Sequence, residues 1–223
     1  MNISGYIKMA QNMMILLLAK RLRFRELMCR ADLYAYDQSD KMMIEEKVMF
    51  NYNGKDLEIV GYACIQEVFF KEVYQRMKVK GKTVIDVGCF NGDTAIYFML
   101  NGATNVIGYD IEEHRLEQAR SNCKRNGIEN TEFHLKEVKS IGDIEHPPGS
   151  CLKMDCEGAE YDFIKNASEQ ELHWFDEIIL EYHRDRGGSP DMILDKLNKS
   201  GFVAVIVEDE SGTGIIHASR CET

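Results

Sequence analysis

The sequence predicts an α/β protein built on a doubly wound, Rossmann-like sheet, with a C-terminal β-hairpin and an N-terminal cap of helix and β-ribbon. Three observations carry this. From residue 82 onward, short apolar runs of strand length alternate with longer segments of helical periodicity, as in parallel strands joined by crossover helices. The first of these strands runs into a glycine-bearing loop and a helix start, Gly88-Cys89-Phe90-Asn91-Gly92-Asp93. The next strand ends in an acid, Asp110, 24 residues after Asp86, close to the roughly 20-residue interval at which such folds set a carboxylate beside a ribose.

Taken in order, residues 1–30 carry Lys8, Lys20, Arg21, Arg23, Arg25 and Arg30 against Glu26 alone. The apolar run Met13 to Leu18 among them is too short to span a bilayer. A helix there can pack on its own domain, meet a second subunit or touch a membrane surface. Lys47 to Tyr52 and Lys55 to Val60 flank Asn53-Gly54, the strongest short hairpin signal. Val68, Phe69, Val73 and Met77 then recur at helical spacing, which completes a cap over residues 1–80.

Residues 81–223 read as one domain. A strand ending at Val87 precedes the glycine loop, and a helix from Asp93 through Leu100 is stopped by Asn101-Gly102. Thr104 to Asp110 is the second strand, Glu113 to Arg125 the second helix with Asn126-Gly127 at its end, and Thr131 to Leu135 the third strand. Pro147-Pro148-Gly149 turns the chain into a fourth strand, Ser150 to Asp155. Ser168-x-x-Glu171 has capping-box form, Phe175 to Tyr182 is the fifth strand, and Ser189-Pro190 opens a helix. Phe202 to Val207 and Gly214 to Ala218 form the closing hairpin.

The loop after the first strand has the spacing Asp-x-Gly-x-x-x-Gly. A dinucleotide fingerprint needs a third glycine and has no acid at that strand end, so the pattern points to S-adenosylmethionine rather than NAD. Gly88, without a Cβ, lets the backbone turn and a ligand approach. Asp86 is expected to pair with the cofactor's ammonium and Asp110 with its ribose. Asn91, Gly92, Asp93 and Ile111 complete the expected cofactor contacts at the helix start and beside the second acid.

Composition narrows the class. The chain has 223 residues and 44% apolar content, enough for one enzyme-sized core. Seven cysteines, an odd number without a Cys-x-x-Cys pair, read as reduced thiols of a cytoplasmic protein. The net charge of −10 is concentrated outside the basic lead segment. An acidic body disfavours phosphate contacts, so no nucleic-acid partner is expected. Peripheral membrane contact through the basic N-terminal helix and oligomer formation stay open.

Chemistry-bearing side chains gather at two later strand ends, Leu152-Lys153-Met154-Asp155-Cys156-Glu157-Gly158-Ala159-Glu160 and Ile179-Leu180-Glu181-Tyr182-His183. In a parallel sheet these ends share one edge with Asp86 and Asp110. Together with the Asp86 to Asp93 loop, these segments resemble the FkbM family of S-adenosylmethionine-dependent methyltransferases, over about Val84 to Arg220. The Lys-x-Asp-x-Glu-Gly-x-Glu string is the distinctive part. The loop departs from many members in carrying Cys89-Phe90 where they have Ala-Asn.

The resemblance implies a class I methyltransferase sheet and methyl transfer to a hydroxyl oxygen of a sugar or other small-molecule or glycan acceptor. The hydroxyl must lose a proton, for which His183 or Asp155 is the expected catalytic group. Glu157, Glu160 and Glu181 are the expected substrate-binding acids, with loop stabilisation through backbone amides as the alternative role of Glu157 and Glu160. No metal ligand set is assigned, and Mg²⁺ assistance by Asp155, Glu157, Glu181 and His183 is left open. Two other readings remain: a nucleobase or amine N-methyltransferase, and a noncatalytic Rossmann-like binding module. The first commonly has an Asn/Asp-Pro-Pro-aromatic string at the fourth strand end, whereas His146-Pro147-Pro148-Gly149 precedes that strand.

Overall fold

A computed structural model describes residues 47–61, 64–186, 188–209 and 212–220. The expected N-terminal helix, with its membrane and subunit alternatives, lies outside these residues. The chain divides into two compact units, 1–71 and 72–223. The second therefore begins earlier than residue 81. The reason is local: the Lys78 amide donates to Glu177 Oε2 at 3.0 Å, and the Gly81 amide to the Gly102 carbonyl at 2.8 Å.

In the first unit, β1 (Lys47–Tyr52) and β2 (Lys55–Val60) pair antiparallel, with Tyr52 opposite Lys55. Asn53 and Gly54 both take left-handed conformations, φ 49° and 86°, as a two-residue hairpin turn requires. Phe50 and Tyr52 pack edge-on against Phe69. Instead of a helix through Met77, the chain makes one π-helical stretch, Gln66–Lys71, before Glu72 at φ 53° breaks the helical path.

The second unit is a seven-stranded sheet. Its strands are β3 (Thr83–Val87), β4 (Asn105–Asp110), β5 (Thr131–Leu135), β6 (Ser150–Met154), β7 (Phe175–His183), β8 (Phe202–Asp209) and β9 (Thr213–Arg220). Their order is β5-β4-β3-β6-β7-β9-β8. The first five are parallel, and β9 and β8 run antiparallel at one edge as the closing hairpin. The helices are α1 (Asp93–Leu100), α2 (Glu113–Arg125), α3 (Glu160–Asn166), α4 (Glu169–Leu172) and α5 (Pro190–Lys199). Ser168 and Glu171 form the expected capping box on α4, and Pro190 occupies the first turn of α5.

β6 is buried at every residue, as a central strand covered on both faces must be. The strand order reverses between β3 and β6, and in such sheets a ligand crevice opens beyond the strand carboxyl ends at this reversal. Gly88 and Asp155, the residues that follow these strands, meet there.

Candidate active site

The glycine loop is shaped by its neighbours before any ligand. Gly88 has φ 77°, and a Cβ built on it would lie 1.9 Å from the Asp155 carbonyl oxygen. The Asp155 amide in turn donates to the Val87 carbonyl at 3.0 Å, so the two strand ends are clasped. Gly88 is thus required first by the contact between two protein segments. Phe90, at φ 47°, carries the loop onward, with the Arg115 guanidinium 4.6 Å from its ring centre.

Asp110 holds the loop from the other side. Its Oδ2 accepts from the Phe90 amide at 3.1 Å and its Oδ1 from the Glu112 amide at 3.0 Å. Each oxygen retains a lone pair, and Asp110 lines a cavity of about 550 Å³. Gly88, Ile111, Val138, Asp155, Cys156 and Glu157 also line it. The volume falls within the ~300–1,000 Å³ typical of small-molecule sites. Ile111 exposes 66% of its surface, unusual for an isoleucine beside a strand end and suited to lie against a flat ring.

Asp86 does not face this cavity. It is fully buried, with Oδ2 accepting from the Thr94 hydroxyl at 2.5 Å and Oδ1 2.9 Å from the Lys153 ammonium. The expected ammonium contact is therefore replaced by an internal one. Lys153 also donates to the Gly88 carbonyl at 2.8 Å, and its ammonium lies 5.9 Å from the Tyr74 ring centre. Burial opposes charge on Lys153, yet Asp86 and Tyr74 hold its pKa well above the ordinary lysine value. Burial pushes the Tyr74 hydroxyl up as well.

Three further expected cofactor residues also sit away from the cavity. Asn91 is fully buried, with its carbonyl accepting from Asn122 Nδ2. A Cβ on Gly92 would lie 2.9 Å from Ala119 Cα, so this glycine lets α1 approach α2. Asp93 is 3% exposed, and its Oδ1 accepts from the Thr94 amide. All three support the loop from beneath because the helix start turns inward against α2.

Asp155 and Glu157 follow β6 and line the cavity, Glu157 at a left-handed φ of 55°. Non-glycine residues in this conformation are costly and gather at functional sites, and Phe90 and Glu157 both border the cavity loops. Glu160 is different. It is fully buried, and its carboxylate accepts from the Cys156 and Gly158 amides, shaping the turn rather than facing an acceptor. Burial is the main influence on its pKa, which is raised.

His183 is also set back. It is 7% exposed, lies outside the cavity lining and has an Nδ1 with no hydrogen-bond partner. Its Nε2 lies 3.6 Å from Glu157 Oε2 and 3.9 Å from Glu181 Oε1. Burial pushes the neighbouring Cys156 thiol up to about 12, so it stays protonated at neutral pH.

Lys153, Arg115 and Val138 were not legible as site residues. A lysine inside the apolar run Cys151-Leu152-Lys153-Met154 was the one available signal, because a buried ammonium needs a counter-charge. Arg115 and Val138 carry no such mark. Among the described residues, Cys64, Cys89, Cys123, Cys151 and Cys156 form no disulfide with one another. No helix among the described residues is long and apolar enough to cross a membrane.

Comparison with known proteins agrees with this geometry. Residues 78–173 match a family described as a methyltransferase domain. The chain is 34% identical over 120 residues to uncharacterized protein 158B of Sulfolobus islandicus rod-shaped virus 1, covering 51% of this chain and 68% of that protein, and the two share a family. It is 42% identical over 62 residues to the ribosomal protein L11 methyltransferase of Tolumonas auensis, covering 27% of this chain and 21% of that one. Thus the chain spans about a fifth of the length of that relative.

Among solved structures, a ribosomal protein L11 methylase from Lactobacillus delbrueckii subsp. bulgaricus aligns with TM-score 0.51 and 21% identity, over 68% of this chain and 76% of that one. An rRNA methylase from Streptococcus thermophilus aligns with TM-score 0.51 and 14% identity, over 68% and 93%. At these identities the likeness is one of fold.

The matches correct one expectation. A small-molecule or glycan acceptor with no nucleic acid was expected from net charge and family resemblance. The names of the similar proteins do not bear this out: they are a ribosomal protein L11 methyltransferase, a ribosomal protein L11 methylase and an rRNA methylase, whose named acceptors are macromolecules. Net charge misled because it averages the whole surface, whereas acceptor choice is local to one mouth. The sheet order, the clasped glycine loop and the cavity beside Asp110 accord with the methyltransferase domain that residues 78–173 match, and the chain belongs to one family with the viral protein 158B; the cavity's carboxylate, apolar wall and volume fit S-adenosylmethionine.

Proposed function

We propose that this chain transfers the methyl group of S-adenosylmethionine to a hydroxyl oxygen presented by a macromolecule. The observation that carries the reading is one continuous cavity with Asp110 at its nucleotide end and Asp155 at the other, joined across Gly88. When bound, the cofactor supplies a methyl group already activated by its cationic sulfur. Asp110 would hold the ribose hydroxyls, and Ile111 and Val138 the adenine faces. Arg115 props the loop through Phe90.

The protein's remaining work is to align the acceptor and accept its proton. Asp155 is the better-placed group, since its side chain belongs to a cavity-lining residue, whereas His183 stands behind it. His183 then orients the acid-rich end through Glu157 and Glu181. Oxygen as the acceptor atom is supported by the FkbM-like segments and by the turn at 147–149. That turn precedes β6, with the Ser150 amide donating to the Pro147 carbonyl, and supplies no planar-nitrogen clamp at the strand end.

A second reading, an amine on a basic protein segment, is favoured by the carboxylates of Asp155, Glu157 and Asp162 along the mouth. One experiment tests both. The protein is incubated with methyl-labelled S-adenosylmethionine and ribosomal protein or rRNA fractions, alongside Asp110→Ala and Asp155→Asn. Label that depends on both residues, survives protease and is lost to nuclease indicates RNA. The reverse sensitivity indicates protein, and acid hydrolysis then separates methyl ether from methylamine. Failure of the wild-type protein to bind S-adenosylhomocysteine would overturn the reading.

A further inference from the structure

We propose that Asp155, Glu160 and His183 bind one divalent cation of the Mn²⁺ type at the acceptor end of the cavity. Ligating atoms of the three side chains lie within 4.8 Å of one another. Donors sharing one ion at about 2.1 Å sit about 3.0–4.2 Å apart, so side-chain adjustments of roughly 1 Å would close the site. Two carboxylates and an imidazole form a mixed set that suits first-row divalent ions better than Ca²⁺.

The imidazole is an observation independent of the acids. The His183 side chain is 8% exposed, and its Nδ1 is buried without any hydrogen-bond partner. A buried polar atom left unsatisfied costs roughly 1–3 kcal/mol, and a metal bond is one way to recover that cost. Glu160 can still ligate. Its two hydrogen bonds from the Cys156 and Gly158 amides occupy two of about four lone-pair sites on the carboxylate, and they fix its orientation.

The local charge favours a cation. Asp155, Glu157, Glu160 and Glu181 gather about His183, whereas Lys153 is engaged by Asp86 and the Arg186 guanidinium lies 3.5 Å from Glu157. Asp155 opens the site to the cavity, which provides the entry path and leaves room for an acceptor oxygen as a further ligand. The inference rests on the methyltransferase reading only for that last role.

The test is a Mn²⁺ titration of the metal-stripped full chain, followed by the electron paramagnetic resonance signal of the free ion. S-adenosylhomocysteine binding is measured in parallel. One site per chain is expected, weakened at least tenfold in Asp155→Asn and His183→Gln while S-adenosylhomocysteine binding persists. No saturable site, or one unchanged by both substitutions, overturns the proposal. Should the variants fail to fold, Mn²⁺ broadening of the wild-type histidine ring signals decides: selective loss of the His183 signal supports the site, and its retention overturns it. Loss of S-adenosylhomocysteine binding alone would sink the functional reading and leave the cation result standing.

Discussion

The Lys153 ammonium lies 2.8 Å from the Gly88 carbonyl oxygen and 2.9 Å from Asp86 Oδ1, with both charged side chains withdrawn from water. A lysine on β6 thereby fixes the turn that follows β3. The pair bridges the point where the strand order reverses, so the cofactor loop is organised by a strand that is remote in sequence. Burying two charges is costly, and the gain rests on their good geometry and on the extra bonds to Thr94 and Gly88.

Replacing Lys153 with Met should leave Asp86 buried and unpaired. A loss of about 3–5 kcal/mol of stability is expected, together with weaker S-adenosylhomocysteine binding. Urea unfolding and calorimetric titration check this. If Lys153→Met were as stable as the wild type, the bridge would not organise the loop.

Gly88→Ala should be more damaging than an exposed glycine substitution such as Gly127→Ala. The new Cβ at Gly88 meets the Asp155 carbonyl at 1.9 Å, whereas nothing lies within 4 Å of the corresponding position at Gly127. Both residues have positive φ, so the comparison isolates the clash from backbone strain of about 1 kcal/mol. Thermal unfolding should show a markedly larger drop for Gly88→Ala, with cofactor binding abolished.

Acid should erase one stabilising contact at the sheet edge. Lys82, 2.8 Å from Asp176, and then Arg220 hold the Asp176 carboxyl below its ordinary pKa. A depressed folded-state pKa contributes stability above the unfolded value of about 3.9 and loses it as pH falls through the folded value. The groups are about a third exposed, so solvent screening limits the contribution to roughly 0.5–1 kcal/mol. Asp176→Asn should therefore be less stable than the wild type near neutrality, and the difference should vanish toward strongly acidic pH. Denaturant midpoints measured across pH would show it, and a difference constant with pH would refute the assignment.

Much of the fold was legible because its signals are local. Asn53-Gly54 makes the turn its backbone preference demands, and Glu113–Arg125 is a helix over the span its periodicity and Asn126-Gly127 stop indicate. The expected helix through Met77 failed because Glu72 takes a left-handed conformation that no pattern of apolar residues discloses. In the site, strand-end position alone accounts for Gly88 and Asp110 lining the cavity. Asp86, Asn91, Gly92 and Asp93 shared that position but turned inward, because Lys153, Thr94 and Ala119 are brought against the loop from elsewhere in the chain.

The sequence by itself determined the alternation of strands and helices, the sheet edge on which the acids gather and the glycine loop that opens there, since backbone preference and side-chain period act over a few residues. Tertiary structure alone decided which acids face the cavity. Asp86 is neutralised by a lysine 67 residues away, Glu160 is taken by its own turn, and Asp155 is left among the residues that line the cavity. A carboxylate's role depends on whether a partner reaches it before solvent or ligand does, and only the packing of distant strands sets that distance.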